Sequence, residues 1–346
     1  MGKPFLHSLK EGELKQWLKS QGQSAFRAKQ IEQWLWQHCV ASTEQMSNLP
    51  KALQEVLERD FIVRPLELVK VENSSDGETT KYLWQLHDGK RVESVLIRAP
   101  GRKTVCVSSQ VGCAMRCSFC ASGKCGFVRN LDMAEIVSQV LAIHAMLLES
   151  GEKVSHVVYM GMGEPLQNYG QVVASIRALT ERFGISRRRI TLSTVGVIEG
   201  IRKLAREEVG VHLALSLHAP SQELRQKLLP FAKGVELGQL MQAVDEYRRL
   251  SGRDITYEYI LIHGVNDRPE HARELIALLR SRGGCVNLIP YNPVPGLRFK
   301  RSTKEDIERF REILSKEGVN NTCRYTKGKD ISAACGQLAL DEKASC

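Results

Sequence analysis

Between Gly12 and Leu57 apolar residues recur at three- and four-residue intervals: Leu14, Trp17 and Leu18, then Ile31, Trp34 and Leu35, then Leu53, Val56 and Leu57. That spacing gathers apolar side chains on one face of a helix and predicts a helical N-terminal region. The period changes over residues 62–98. Three runs, IVRPLELVKVE, TTKYLWQL and RVESVLIR, are separated by the turn-rich NSSDGE and HDGK, which predicts a small antiparallel β element. Residues 1–98 are therefore expected to form an accessory domain with a β extension, and residues 99–346 the main domain.

After Pro100-Gly101 a strand, a loop and a helix alternate. Predicted strands are 104–109, 154–160, 188–195, 211–218, 255–263 and 285–291, short apolar runs such as VSHVVYM and ITYEYILIH. Predicted helices cover 132–149, 169–183, 197–207, 235–251, 269–282 and 302–317. In the first of these, Asp132 and Glu135 have the spacing of a capping box. Six such units predict an α/β fold with a parallel sheet buried on both faces. The expectation is a partial (β/α)6 TIM-like barrel, preferred to a doubly wound sheet that periodicity does not distinguish from it. Either arrangement places chemistry at the C-terminal ends of the strands, where the polar motifs fall.

Composition narrows the function classes. The chain has 346 residues, 42% hydrophobic and 25% charged, and no apolar run approaches the roughly 20 residues that a bilayer span needs. The opening MGKPFLHSLKEGELKQW has no apolar secretion core, so a cytoplasmic protein is expected. A net charge of +10 favours a polyanionic partner, whose condensed counterions are released on binding. Ten cysteines in a secreted chain would suggest disulfides, but five of them crowd into residues 106–125. In a reducing compartment such crowding points to metal or redox work.

The densest stretch is GCAMRCSFCASGKCG, residues 112–126. Structural zinc usually draws paired C-x2-C knuckles and four ligands, and Cys125 would complete such a tetrad. Cys113-x3-Cys117-x2-Cys120 alone suits an iron–sulfur cluster with one iron left open, since a closed cluster takes four cysteines.

A C-x3-C-x-aromatic-C run after the first barrel strand resembles the signature of radical S-adenosylmethionine (SAM) enzymes. Together with FRAKQIEQWLW (26–36), CVSSQVGC (106–113), GFVRNL (126–131), MGMGEPLQNY (160–169) and ACGQL (334–338), it makes nearly the whole chain resemble the RlmN and Cfr class of adenosine methyltransferases. The resemblance implies a radical SAM barrel in which Cys113, Cys117 and Cys120 carry a [4Fe–4S] cluster whose open iron binds SAM, with Cys125 a bystander. It also implies that Cys335 takes a methyl group from one SAM and becomes S-methylcysteine. A radical made from a second SAM then activates that group for addition to adenine. Glu93 accepts the ring proton, and Cys106 releases the product by forming a transient disulfide with Cys335. Gly163, Glu164, Ser193, Ser216, Leu217, His218 and Asn292 are implied as SAM contacts.

By the same resemblance the substrate is adenine carbon 2 in the peptidyl-transferase centre of 23S rRNA, with tRNA adenosine 37 as a second site. An electron donor such as flavodoxin or ferredoxin serves a monomeric enzyme. The N-terminal helices resemble an RNA-binding accessory domain, with Phe26, Trp34 and Trp36 expected in its core rather than beneath a base. Two alternatives stay open. Cys120-Ala121-Ser122-Gly123-Lys124 looks like the Cfr segment and favours methylation at carbon 8, with resistance to ribosome-directed antibiotics. A zinc-bearing RNA-binding module without catalysis is the other.

Overall fold

The computed structural model describes residues 2–324 and 327–338. The N-terminal periodicity folds as three helices, α1 (Glu11–Ser20), α2 (Phe26–Trp36) and α3 (Lys51–Asp60). Leu14, Leu18, Ile31, Leu35, Leu53 and Leu57 are buried between them, as their spacing requires. Trp36 is buried as expected, but Phe26 is not: its ring is 66% exposed. Two residues before Ala28, it points away from the stripe of Ala28, Ile31 and Leu35, because two residues advance an α-helix by a little over half a turn.

β1 (Leu66–Asn73), β2 (Thr79–Leu86) and β3 (Arg91–Ala99) form the predicted antiparallel element. β3 then pairs with β4 (Arg102–Cys106), setting Val95 opposite Cys106. The element is therefore continuous with a ten-stranded sheet. Next comes a hairpin that the periodicity did not indicate, β5 (Gln110–Gly112), the one-turn helix α4 (Ala121–Lys124) and β6 (Phe127–Asn130), which encloses the cysteine loop. Glycine is required to close it, since a Cβ on Gly112 would lie 1.8 Å from the Gly126 carbonyl oxygen.

Strand and helix then alternate: α5 (Met133–Leu148), β7 (His156–Tyr159), α6 (Tyr169–Glu181), β8 (Ile190–Thr194), α7 (Ile198–Arg206) and β9 (His212–Ser216). They are followed by α8 (Gln222–Leu228), α9 (Leu237–Ser251), β10 (Thr256–Leu261), α10 (Pro269–Leu279), β11 (Cys285–Pro290), α11 (Lys304–Lys316) and β12 (Asn321–Cys323). β4, β7, β8, β9, β10, β11 and β12 pair in parallel in that order. The six predicted units are present, and the short β12 adds a seventh parallel strand that returns the chain to the barrel. Among the described residues no helix is long and apolar enough to cross a membrane.

Local contacts fix the pieces. Asp132 caps α5 by accepting from the Ala134 amide at 2.9 Å, and Glu135 accepts from the Asp132 amide at 2.8 Å, which is the predicted capping box. Glu135 also accepts two bonds from Arg129 at 2.8 Å each, pinning the hairpin to α5. Beside the N-terminal helices Arg182 pairs with Glu32, donates to the His7 carbonyl at 2.9 Å and lies 4.2 Å from the Trp36 ring centre. Residues 327–338 cross the mouth of the barrel. Lys327 donates to the Arg98 carbonyl at 3.1 Å and Asp330 accepts from the Ser75 amide at 2.7 Å. Further on, Gly336 accepts from the Ala121 amide at 2.8 Å and Gln337 donates to the Pro293 carbonyl at 2.9 Å.

Candidate active site

Alternate residues of a strand face the same side, and the inward set of this sheet includes several polar residues. Ser193 on β8, Ser216 on β9, Glu258 on β10 and Asn287 on β11 help to line two cavities of about 150 and 670 Å³. Cys120, Glu258, Arg324 and Cys335 border both.

The smaller cavity is walled by Cys113, Cys117 and Cys120, but not by Cys125. The loop is held in shape by backbone bonds: the Cys113 amide donates to the Gly126 carbonyl at 2.7 Å, Ser118 to Leu228 at 3.0 Å and Cys120 to Cys117 at 3.2 Å. Burial pushes the Cys113 thiol up to about 12 and raises Cys117 well above the ordinary thiol range, with the neighbouring thiols adding to both. Cys120 is raised by burial as well. Thiols in such a setting ionise when a metal takes the charge. A closed structural zinc site takes four ligands, whereas a cluster held by three thiolates keeps one iron open. Three thiols on one cavity wall, with Cys125 outside it, fit such a cluster.

Around that cavity stand most of the residues implicated in SAM binding. Gly163 adopts φ +102, and a Cβ there would come within 2.6 Å of the Gln110 side chain. Glu164 is buried, with its carboxylate accepting from the Val195 amide at 2.9 Å and the Leu166 amide at 3.1 Å. Burial lifts its pKa to about 7 against the pull of those bonds. Ser193 and Ser216 meet hydroxyl to hydroxyl at 3.2 Å. His218 accepts from the Ile260 amide through Nδ1 at 3.1 Å, and burial, then Arg225, lower its pKa to about 3. The ring is therefore neutral, with Nε2 carrying the proton. Leu217 is buried and borders neither cavity; its amide donates to the Glu258 carbonyl at 3.0 Å. Asn292 borders the larger cavity and donates to the Cys335 carbonyl at 3.3 Å.

Cys335 and Cys106 are free thiols on the wall of the larger cavity. Burial raises Cys106 to about 12, with Cys335 adding and Arg324 opposing. Glu93 shares the inward face of β3 with Val95 but stops short of the cavity wall. It is buried, with a carboxylate oxygen 3.5 Å from Lys81 Nζ.

Sequence alone did not assign three charges to this region: the buried Glu258 and Arg225 and the partly buried Arg324. Arg324, just after β12, is held in its charged form first by Cys335, against its burial, and then by Glu258 and Cys106. Glu258 accepts from Asn287 at 2.7 Å. Arg225 on α8 is completely buried. Glu258 carried a signal, a lone acid inside the apolar YEYILI run; the two arginines carried none, being spaced like solvated helix and loop charges.

Residues 107–276 match the radical SAM superfamily, and residues 6–63 match the ribosomal RNA large subunit methyltransferase N-terminal domain. A protein of Protochlamydia amoebophila named "Probable dual-specificity RNA methyltransferase RlmN 2" is 55% identical over 95% of this chain and 93% of its own length. A relative from Dictyoglomus thermophilum with the same type of name is 44% identical over 94% of both chains. The crystal structure of a radical SAM methyltransferase from Sphaerobacter thermophilus superposes with a TM-score of 0.94 at 44% identity, covering 97% of this chain and 99% of that one. On these matches, and with a barrel mouth arranged as they require, this chain belongs to the RlmN-type radical SAM RNA methyltransferases.

Proposed function

We propose that the enzyme methylates carbon 2 of adenine in 23S rRNA and in tRNA, by way of a methyl group carried on Cys335. Its cofactors are a [4Fe–4S] cluster and SAM. Cys113, Cys117 and Cys120 hold the cluster, and Gly163, Glu164, Ser193, Ser216, His218 and Asn292 hold SAM, Leu217 contributing through its backbone. One observation carries this reading: Cys335 borders both the cavity walled by the three loop thiols and the cavity that contains Cys106.

In this scheme the Cys335 thiolate displaces a methyl group from the sulfonium of a first SAM, sulfur being a strong nucleophile. The bound cluster supplies the electron that splits a second SAM and so provides the radical which takes a hydrogen atom from that S-methyl group. Cys335 holds the resulting methylene over the adenine ring, which has been turned out of its stack. The adenine radical so formed gives back one electron to the oxidised electron carrier and its carbon-2 proton to Glu93, leaving a closed-shell thioether. The Cys106 thiolate then attacks the Cys335 sulfur, the electron pair of the broken sulfur–carbon bond goes to the product carbon, which takes up a proton to become the methyl group, and the disulfide is returned to thiols by an external two-electron donor. Residues 1–98 serve as the RNA-engaging unit and residues 99–346 as the catalytic unit. The radical SAM family match, and Cys125 lying off the wall that the other three loop thiols form, speak against a zinc-bearing module.

Nucleoside mass spectrometry after anaerobic reaction of rRNA and tRNA with SAM tests the proposal. We expect 2-methyladenosine from both RNAs and none from the Cys335→Ala variant. Finding 8-methyladenosine would move the chemistry to the other carbon, and full methylation by Cys335→Ala would remove the thiol route.

A further inference from the structure

Arg225 lies on the helix that is bonded to the cysteine loop, behind the wall of the smaller cavity and not on its lining. Its helix, α8, is stitched to that loop because the Leu228 carbonyl accepts from both the amide and the hydroxyl of Ser118, at 3.0 and 3.1 Å, one residue after Cys117. The side chain is 0% exposed. Nη2 donates to the Val195 carbonyl, while Nε and Nη1 have no partner. Among the described residues no carboxylate pairs with it; the titratable groups that feel its charge are Cys117 and the neutral His218. Burial lowers its pKa only to about 10, so it remains a cation at neutral pH.

A buried guanidinium with two unmatched nitrogens is strongly unfavourable unless an anion completes it. Cys117, whose charge it feels, and the other loop thiols supply that anion only when ionised, which is the state in which they bind iron. A cluster on three thiolates is anionic overall and gains a further negative charge on reduction. A fixed cation close by favours the reduced form more than the oxidised one, in a pocket where low polarity strengthens the interaction.

We infer that Arg225 is the built-in counter-charge of the iron–sulfur cluster, the cation that permits an anionic group to be buried here and raises its reduction potential. The inference rests on the cluster assignment above. It makes Arg225 a tuning residue and not a group that handles methyl transfer.

The test compares wild type, Arg225→Met and Arg225→Lys, each reconstituted anaerobically, by iron content, redox titration followed by electron paramagnetic resonance, and thermal melting with and without iron. For Arg225→Met we expect the reduced-to-oxidised ratio at a fixed poise to fall about tenfold, a midpoint ~59 mV lower for one electron, with Arg225→Lys recovering most of the loss. Without iron, Arg225→Met should melt at or above the wild-type temperature, because an unmatched charge has gone. With iron the order should reverse. An unchanged midpoint in a fully loaded Met variant overturns the inference, as does a Lys variant no better than Met. So does a Met variant that fails to fold without iron, which would make Arg225 a scaffold residue. A midpoint that stays put while SAM affinity drops tenfold assigns the charge to SAM instead. Wild-type protein that takes up no four-iron cluster counts against the functional proposal and is told apart by iron content alone.

Discussion

The N-terminal helices and the mouth of the barrel are built on opposite principles. Between Glu11 and Asp60 the buried set is apolar except for Thr43, whose hydroxyl is satisfied by Glu58 at 3.1 Å. At the mouth Glu164, Arg225 and Glu258 are as deeply buried as those leucines, and each is shifted by burial toward its neutral form. The first region is selected for packing. The second retains groups that weaken the empty protein, and such groups persist in a fold where something else completes them.

The strongest way to sharpen this contrast is to remove a ligand from the loop. Cys113→Ala should lose the cluster and lower methylation by at least about a thousandfold, ~4 kcal/mol on the rate scale, while iron-free stability stays within about 1 kcal/mol. A large drop in iron-free melting temperature would show that the loop thiols serve packing after all. Next in size, Leu57→Ala should destabilise the protein by about 2–5 kcal/mol in denaturant titrations and leave iron per folded molecule unchanged. Iron loss in that variant would break the separation of the two regions.

The smallest effect is a pH dependence. Because the folded pKa of Glu164, about 7, lies above its ordinary value of 4.5, the native state holds this proton more tightly than the unfolded chain. The empty protein therefore loses stability as pH rises from about 4.5 to about 7. An ammonium group on the ligand needs the carboxylate ionised, so below pH 7 SAM affinity should fall by about tenfold per unit, ~1.4 kcal/mol. Calorimetry across pH 5.5–8 checks it. A flat profile in wild type, or the same slope in Glu164→Gln, would remove Glu164 from the SAM site.

Much of this architecture was legible because it is periodic. The six parallel strands and the helices between them read directly from apolar runs, and the Asp132–Glu135 cap has a local spacing that the structure reproduces. The hairpin around the cysteine loop did not read, since its strands are short and depend on a close approach at Gly112 that only tertiary packing reveals. Phe26 was misjudged because an aromatic residue was weighed by type before its position on the helix. At the site, the loop thiols stood out by spacing, whereas Cys106 and Cys335 had meaning only through resemblance. Arg225 was hidden because burial is a property of three dimensions, and a charged residue on a short helix reads as a solvated one.

The sheet ends at β1 on one side and at β12 on the other, and among the described residues no ladder joins these margins. Residues 327–338 lie across the opening like a strap, tied at one end to Ser75 and Arg98 and at the other to Ala121 and Pro293. Lifting it would break those bonds and expose Ala333, Ala334 and Leu338, which are buried beneath it, while the rungs of the sheet stay intact. The same strap carries Cys335, so access to the larger cavity and the placement of that thiol on its wall are governed by one piece of chain.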